Sequence, residues 1–162
     1  MNPVGANVAK ACQFCDERAE TCARGSPIGK TVLVANVLFV CVANSGRSVM
    51  AERLFRREVD GRHQALSAGS KPGASPHPVV LEALAELDID ASDHTPQLLT
   101  DELVEWADVI VATCDDACPV VPGKRYINWQ LNDPKHLALP DVRVIRDDIV
   151  ARTATLALDL DA

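Results

Sequence analysis

No stretch of the 162-residue chain reaches the ~18 consecutive apolar residues that a membrane-spanning helix needs. The run from Thr31 to Val42 is broken by Asn36 and has the length of a strand or core segment. A signal peptide fits poorly: Asp16, Glu17 and Glu20 stand where its basic region belongs, and the apolar run comes late. Excess positive charge is missing too. Sixteen Lys and Arg against 23 Asp and Glu leave a net charge of −7, which repels a phosphate polymer and excludes a nucleic-acid binder held by backbone electrostatics. Low hydrophobicity, the mark of disorder, is absent at 48% apolar residues. Six cysteines are too sparse for a disulfide scaffold, and a chain of this length buries a core without such staples. The four histidines, His63, His77, His94 and His136, are scattered with no paired spacing, and no internal repeat occurs. The reading is one α/β domain in the cytoplasm, where cysteines are buried, metal-bound or chemically active rather than bridged at rest.

Residues 1–30 differ from the rest. They hold four basic and three acidic residues, weak apolar periodicity, and Cys12, Cys15 and Cys22, and are expected to be an N-terminal extension. Cys12 and Cys15 have the spacing of a redox or metal pair, but no histidine precedes His63. Residues 31–162 carry the patterning of a catalytic domain. Val37-Leu38-Phe39-Val40 is a continuous apolar run, as in a strand buried on both faces. Ala51, Leu54, Phe55 and Val59 follow at helical spacing, and Asp60-Gly61 ends that helix. Ala65–Ala68 is a short strand closed by Gly69. Val80, Ala83, Leu84 and Leu87 make one helical face, and Thr100 caps a short helix through Trp106. Asp108–Thr113 and Tyr126–Trp129 are strands, and Ile145, Ile149, Thr153 and Leu156 stripe a C-terminal helix. Buried strands alternating with amphipathic helices predict a central four-stranded parallel sheet with helices on both faces. Ligands of such folds sit beyond the carboxyl ends of the strands, where Cys41 and Cys114 both fall.

Cys41-Val42-Ala43-Asn44-Ser45-Gly46-Arg47-Ser48 joins a buried strand to a helix. Backbone N–H groups of such a loop can turn inward as an anion nest, and the helix that follows adds unpaired N–H groups and the positive end of its dipole. Gly46 permits the backbone the loop requires. Arg47 offers a planar fork that matches two oxygens of a tetrahedral oxyanion. These surroundings favour the thiolate, the nucleophilic form of a cysteine. Ser48 can donate to the sulfur, and Asn44 can hold the loop's shape through its side chain. A second pair, Cys114 and Cys118, follows the strand ending at Thr113. Its spacing admits half a metal site, two inert cysteines or a redox pair.

The segment Val37–Glu52 resembles the phosphate loop of the low-molecular-weight tyrosine phosphatase superfamily, and within it the arsenate reductases. Ser67-Ala68-Gly69, Asp88-Ile89-Asp90 with His94-Thr95, Ala107–Val111, Cys118-Pro119, Trp129, Asp133-Pro134 and Val144–Ile149 extend the resemblance over roughly residues 35–158. The resemblance implies that Cys41 attacks arsenate held by residues 42–48 (Val42, Ala43, Asn44, Ser45, Gly46, Arg47 and Ser48). It implies that Asp133 protonates the leaving oxygen, as such bond breaking requires, although Asn132-Asp133-Pro134 also reads as a turn. Cys114 would attack the cysteine–arsenic adduct, and Cys118 would resolve the disulfide and pass it to thioredoxin.

The text around Cys118 also looks like an actinobacterial branch, part of which uses mycothiol with mycoredoxin and Cys41 alone. Without the second pair, the same loop and Asp133 would serve a low-molecular-weight protein tyrosine phosphatase. Against that stand Lys135 and His136 where the family's tyrosine is expected, and the absence of the phosphatase loop's second cysteine. A non-catalytic oxyanion or metalloid sensor is a third reading, at odds with intact Cys41, Arg47 and Asp133. In some relatives a cation supports the loop through residues matching Asn44, Glu52 and Ser67, but Thr100 stands where a further carboxylate is expected. The expectation is therefore no resident metal or cofactor, structural roles for His94 and Trp129, and a monomer.

Overall fold

A computed structural model describes residues 33–114 and 122–162. The chain divides into two units, Met1–Thr31 and Val32–Ala162, and the described residues belong to the second. Cys12, Cys15, Cys22 and Cys118 lie outside the described residues.

Four parallel strands form one sheet: β1 (Asn36–Cys41), β2 (Gln64–Gly69), β3 (Val109–Ala112) and β4 (Arg125–Asn128), in the order β2-β1-β3-β4. Among the described residues the helices are α1 (Arg47–Val59), α2 (Pro78–Ala85), α3 (Asp101–Trp106) and α4 (Leu139–Asp161), with a 3₁₀ turn at Pro134–His136. No helix among the described residues is long and apolar enough to cross a membrane.

The pleat of β1 sorts its side chains to two faces. Val37 and Phe39 enter the larger core with Phe55 of α1, Leu84 of α2 and Ile149 of α4. Leu38 and Val40 enter a smaller core with Ala68 and Ile110, against which Leu103 and Trp106 of α3 pack. Phe39 is fully buried and touches the rings of Phe55 and Trp129 at centroid distances of 5.6 and 5.7 Å. Both faces of the sheet are thus covered by helices, as the continuous apolar runs predict. Trp129 is a core residue, in keeping with its expected structural role.

The element ends follow local chemistry. Asp60 closes α1 in the left-handed conformation at φ 44, followed by Gly61 at φ 82, where a glycine meets no steric cost. Thr100 accepts the Leu103 N–H at 3.4 Å and caps α3, as expected. One element is shorter than its apolar stripe predicts: α2 stops at Ala85, short of Leu87. Asp88 is left-handed at φ 59, and the Ile89 N–H turns back to the Leu84 carbonyl at 3.1 Å.

Candidate active site

The β1–α1 connection is held from outside by its carbonyls. Those of Cys41, Val42, Ala43 and Ser45 accept N–H groups from Ser70, Lys71, Gly73 and His77 at 2.8–3.2 Å. With the carbonyls drawn outward, the loop's amides are left to face the other side. That side is a cavity of about 410 Å³ lined by Cys41, Val42, Ala43, Ser45, Gly46 and Arg47 of the loop together with Gly73, Ser75, His77, Asp133 and Lys135. The adjoining first turn of α1 adds the positive end of its dipole.

Close approach sets the glycines. A Cβ on Gly69 would lie 2.4 Å from the Val42 carbonyl oxygen and 2.9 Å from the Asn44 nitrogen, so β2 can pass the loop only with glycine at its end. A Cβ on Gly46 would lie 2.9 Å from Pro134 Cγ and 3.2 Å from His77 Cδ2. Gly46 itself has φ −140, and the left-handed residue of the loop is Asn44 at φ 49. The sequence reading assigned the loop's backbone freedom to Gly46. The left-handed φ falls on Asn44, while Gly46, at ψ −91, also admits Pro134.

Cys41 is buried and a free thiol. Its Sγ receives the Asn44 N–H at 3.2 Å and lies 2.9 Å from Ser48 Oγ. Asn44 Oδ1 accepts the Gln97 N–H at 3.0 Å, which orients the amide so that its Nδ2 donates to Ser48 Oγ at 2.9 Å. His94 Nε2 lies 3.2 Å from both Asn44 oxygens, so it carries the proton and donates. Burial holds His94 below the usual histidine pKa, with Glu52 and the Asn44 carbonyl opposing. His94, expected to be structural, therefore touches the loop itself. Sequence offered no sign of this contact between residues fifty positions apart.

Arg47 and Asp133 meet at the cavity. Arg47 Nη1 donates to the Leu131 carbonyl at 3.1 Å, and Nη2 lies 3.9 Å from Asp133 Oδ2. Asp133 Oδ1 accepts the Lys135 N–H at 3.0 Å and caps the 3₁₀ turn, so Asp133 is both the turn residue and a cavity residue. His77 and Lys135 were not anticipated in the site. Burial is the main cause that lowers the His77 pKa, and Asp133 works against it.

Cys114 is the second residue beyond β3, whose Ala112 pairs with Val40 of β1. Cys41 and Cys114 thus stand at the carboxyl ends of adjacent strands. Thr113 ties the two ends together, its N–H and Oγ1 both donating to the Val40 carbonyl at 2.8 and 3.0 Å. Cys114 is disulfide-bonded and 2% exposed. The strand register buries this sulfur.

Glu52 is buried and accepts the Ser67 hydroxyl, while Arg56 Nη2 lies 3.0 Å from its Oε1. The countercharge that a loop-supporting cation would supply beside Glu52 comes here from Arg56. No group of three or more His, Cys, Asp or Glu is arranged to hold a metal ion among the described residues.

A parallel α/β sheet with a cysteine-to-arginine oxyanion loop after its first strand defines a class of thiol-dependent, phosphatase-like enzymes. The chain belongs to the low molecular weight phosphotyrosine protein phosphatase family, whose model matches residues 36–162. Arsenate reductase 1 of Staphylococcus haemolyticus is 33% identical over 120 residues, covering 72% of this chain and 90% of the relative. Among solved structures, the thioredoxin-dependent arsenate reductase of Corynebacterium glutamicum is 35% identical with a TM-score of 0.65, covering 80% of this chain. This chain spans 62% of the length of that one. An arsenate reductase in the phosphate-binding state aligns with a TM-score of 0.73 at 27% identity, covering 78% of this chain and 99% of that one. Within its family the chain is thus an enzyme of the arsenate reductase kind.

Proposed function

We propose that the enzyme reduces arsenate to arsenite through Cys41, Cys114 and Cys118, with thioredoxin as the final reductant. The observation that carries this reading is the convergence of a free Cys41 thiol, Arg47 and Asp133 on one cavity, in a chain whose relatives are arsenate reductases. The loop amides and the Arg47 fork hold the oxyanion, and the Cys41 thiolate attacks arsenic. Ser48 and the Asn44 N–H stabilise the sulfur's negative charge. Asp133 donates a proton to the departing oxygen, which leaves as water. The Cys114 thiolate then attacks the Cys41 sulfur. The sulfur–arsenic electron pair stays on arsenic, which departs as arsenite, and a Cys41–Cys114 disulfide forms. Cys118 attacks Cys114, restoring the Cys41 thiolate. Because Cys114 is buried, thioredoxin attacks the Cys118 sulfur of the resulting disulfide.

The test is a turnover assay with arsenate, supplying either thioredoxin with its reductase or mycothiol with mycoredoxin. Sustained arsenite release with thioredoxin supports the relay. Release with mycothiol alone moves the assignment to the Cys41-only route. Fast aryl phosphate hydrolysis without arsenite release in either system returns the protein to a tyrosine phosphatase.

A further inference from the structure

The cavity that receives the oxyanion has a charge balance that one residue decides. Arg47 and Asp133 face each other across it with opposite charges, 3.9 Å apart. The chain as a whole is at −7, and the nucleophile acts as a thiolate. A doubly charged oxyanion entering a site with only the Arg47–Asp133 pair would meet a repulsive field. Lys135 is the further formal charge among the described lining residues, and it offsets the negative charge that the thiolate brings to the cavity.

Its place is set by the turn that carries it. Pro134 packs onto Gly46, and the Lys135 N–H donates to Asp133 Oδ1 at 3.0 Å, so the turn is fixed to the loop on one side and to Asp133 on the other. An anion seated on the loop amides and Arg47, with Cys41 beneath it, directs its fourth oxygen away from the sulfur. Asp133 and Lys135 line the same cavity as the loop. The remaining described wall at this level is made of Gly73, Ala74, Ser75 and His77, with no large apolar or aromatic carbocyclic side chain. His77 adds no dependable charge, since burial keeps its ring neutral over more of the pH range than a free histidine.

We propose that Lys135 makes this cavity select a free tetrahedral oxyanion over its organic esters, by placing an ammonium group where the fourth oxygen emerges. A free anion presents a charged oxygen there and gains a charge-assisted contact. An ester presents a bridging oxygen and a hydrocarbon group, which covers the ammonium and strips its water without return. The proposal rests on the arsenate reductase reading only in taking a free oxyanion as the substrate.

The experiment avoids turnover. Binding of inorganic phosphate and of phenyl phosphate to the full chain is measured by calorimetry for the wild type, Lys135→Met and Lys135→Arg. Loss of one charge-assisted contact is expected to weaken phosphate about tenfold in Lys135→Met while phenyl phosphate stays within about twofold or tightens. Lys135→Arg is expected to keep the wild-type preference. Equal weakening of both ligands would reduce Lys135 to general electrostatic attraction and overturn the selectivity claim, as would no change in either. A wild type that binds phosphate with this preference yet releases no arsenite sinks the reductase reading and leaves the Lys135 claim standing.

Discussion

Ser48 Oγ lies 2.9 Å from Cys41 Sγ and accepts Asn44 Nδ2 at the same distance, so when the sulfur is a thiolate the one hydroxyl proton of Ser48 is directed at it. The bond strengthens as negative charge gathers on sulfur, because hydrogen bonds to charged groups are worth roughly 1.5–3 kcal/mol. Ser48→Ala is expected to lower kcat/KM for arsenate by about ten- to a hundredfold. The rate of Cys41 alkylation by iodoacetamide should fall with it, and Ser48→Thr should restore most of both. Unchanged alkylation in the alanine variant would mean that Ser48 only packs against the loop.

Gly69 and Gly73 both touch the loop, yet they should respond differently to alanine. At Gly69 the new Cβ meets backbone, the Val42 carbonyl oxygen and the Asn44 nitrogen. At Gly73 it meets Ser45 Oγ at 2.7 Å, the end of a side chain that can rotate. Gly69→Ala is therefore expected to cost about 1–3 kcal/mol of stability, the usual range for overpacking, and to abolish phosphate binding. Gly73→Ala should leave the melting temperature nearly unchanged. Equal effects in thermal melts of the two variants would contradict the distinction between backbone and side-chain clashes.

These contacts mark where the sequence stops being readable. The apolar runs of β1 and β3 were legible because a strand buried on both faces needs no partner to reveal it. Asp60-Gly61 and Thr100 were legible because caps and stops act within a few residues. Cys41, Arg47 and Ser48 were found because the loop is contiguous. The role of Gly69 was not, since it depends on a loop more than twenty residues earlier that passes at contact distance. His77 and Lys135 reach the cavity through folding, and neither carries a local pattern. The contact from His94 to Asn44 joins two segments that no periodicity relates.

Asp133 has a proposed chemical role that can be separated from binding. Its carboxylate faces Arg47 at 3.9 Å and leans on an anion's negative charge. Asp133→Asn keeps the cap to the Lys135 N–H through its side-chain oxygen and removes both the proton donor and the charge. The expected outcome is a drop in kcat for arsenate of roughly 10²–10⁴-fold, the usual worth of a positioned general acid. Inorganic phosphate should bind as well as to the wild type or more tightly. A variant that loses phosphate binding and keeps kcat would reverse the assignment.

Acid should weaken the fold through His63. The ring is buried, accepts the Ala35 N–H on Nδ1 at 3.1 Å, and meets Asp161 through Nε2 at 3.1 Å. Protonation would set a second donor on Nδ1 against the Ala35 N–H. Burial, with a smaller contribution from Arg62, holds the pKa below 6.5 in the folded chain. Below that value the unfolded chain binds the proton more readily, so this contribution is present above pH 6.5 and is lost as the pH falls toward the lowered folded value. Urea midpoints at roughly pH 7.5 and roughly pH 5.5 should fall less for His63→Asn than for the wild type, because asparagine can accept from Ala35 without titrating. His77 and His94, lowered in the same direction, leave some slope in the variant. An identical slope in both proteins would remove His63 from the acid response.

The order of the three proposed thiols has a stoichiometric signature that needs no steady state. Cys114→Ser should trap the Cys41–arsenic adduct, because no second sulfur attacks it, and arsenite should not appear. Cys118→Ser should release about one arsenite per chain and stop as the Cys41–Cys114 disulfide, whose electrons have reduced arsenic and which nothing inside the chain resolves. The two variants separate steps that a steady-state assay merges, since both are expected to be inactive with thioredoxin. Quench-flow arsenite counts on the prereduced variants, with mass spectrometry of the trapped species, read the order directly. If Cys114→Ser also releases one equivalent, a different thiol attacks the adduct. If both variants turn over fully with mycothiol and mycoredoxin, Cys41 acts alone and the two later cysteines are not part of the reaction.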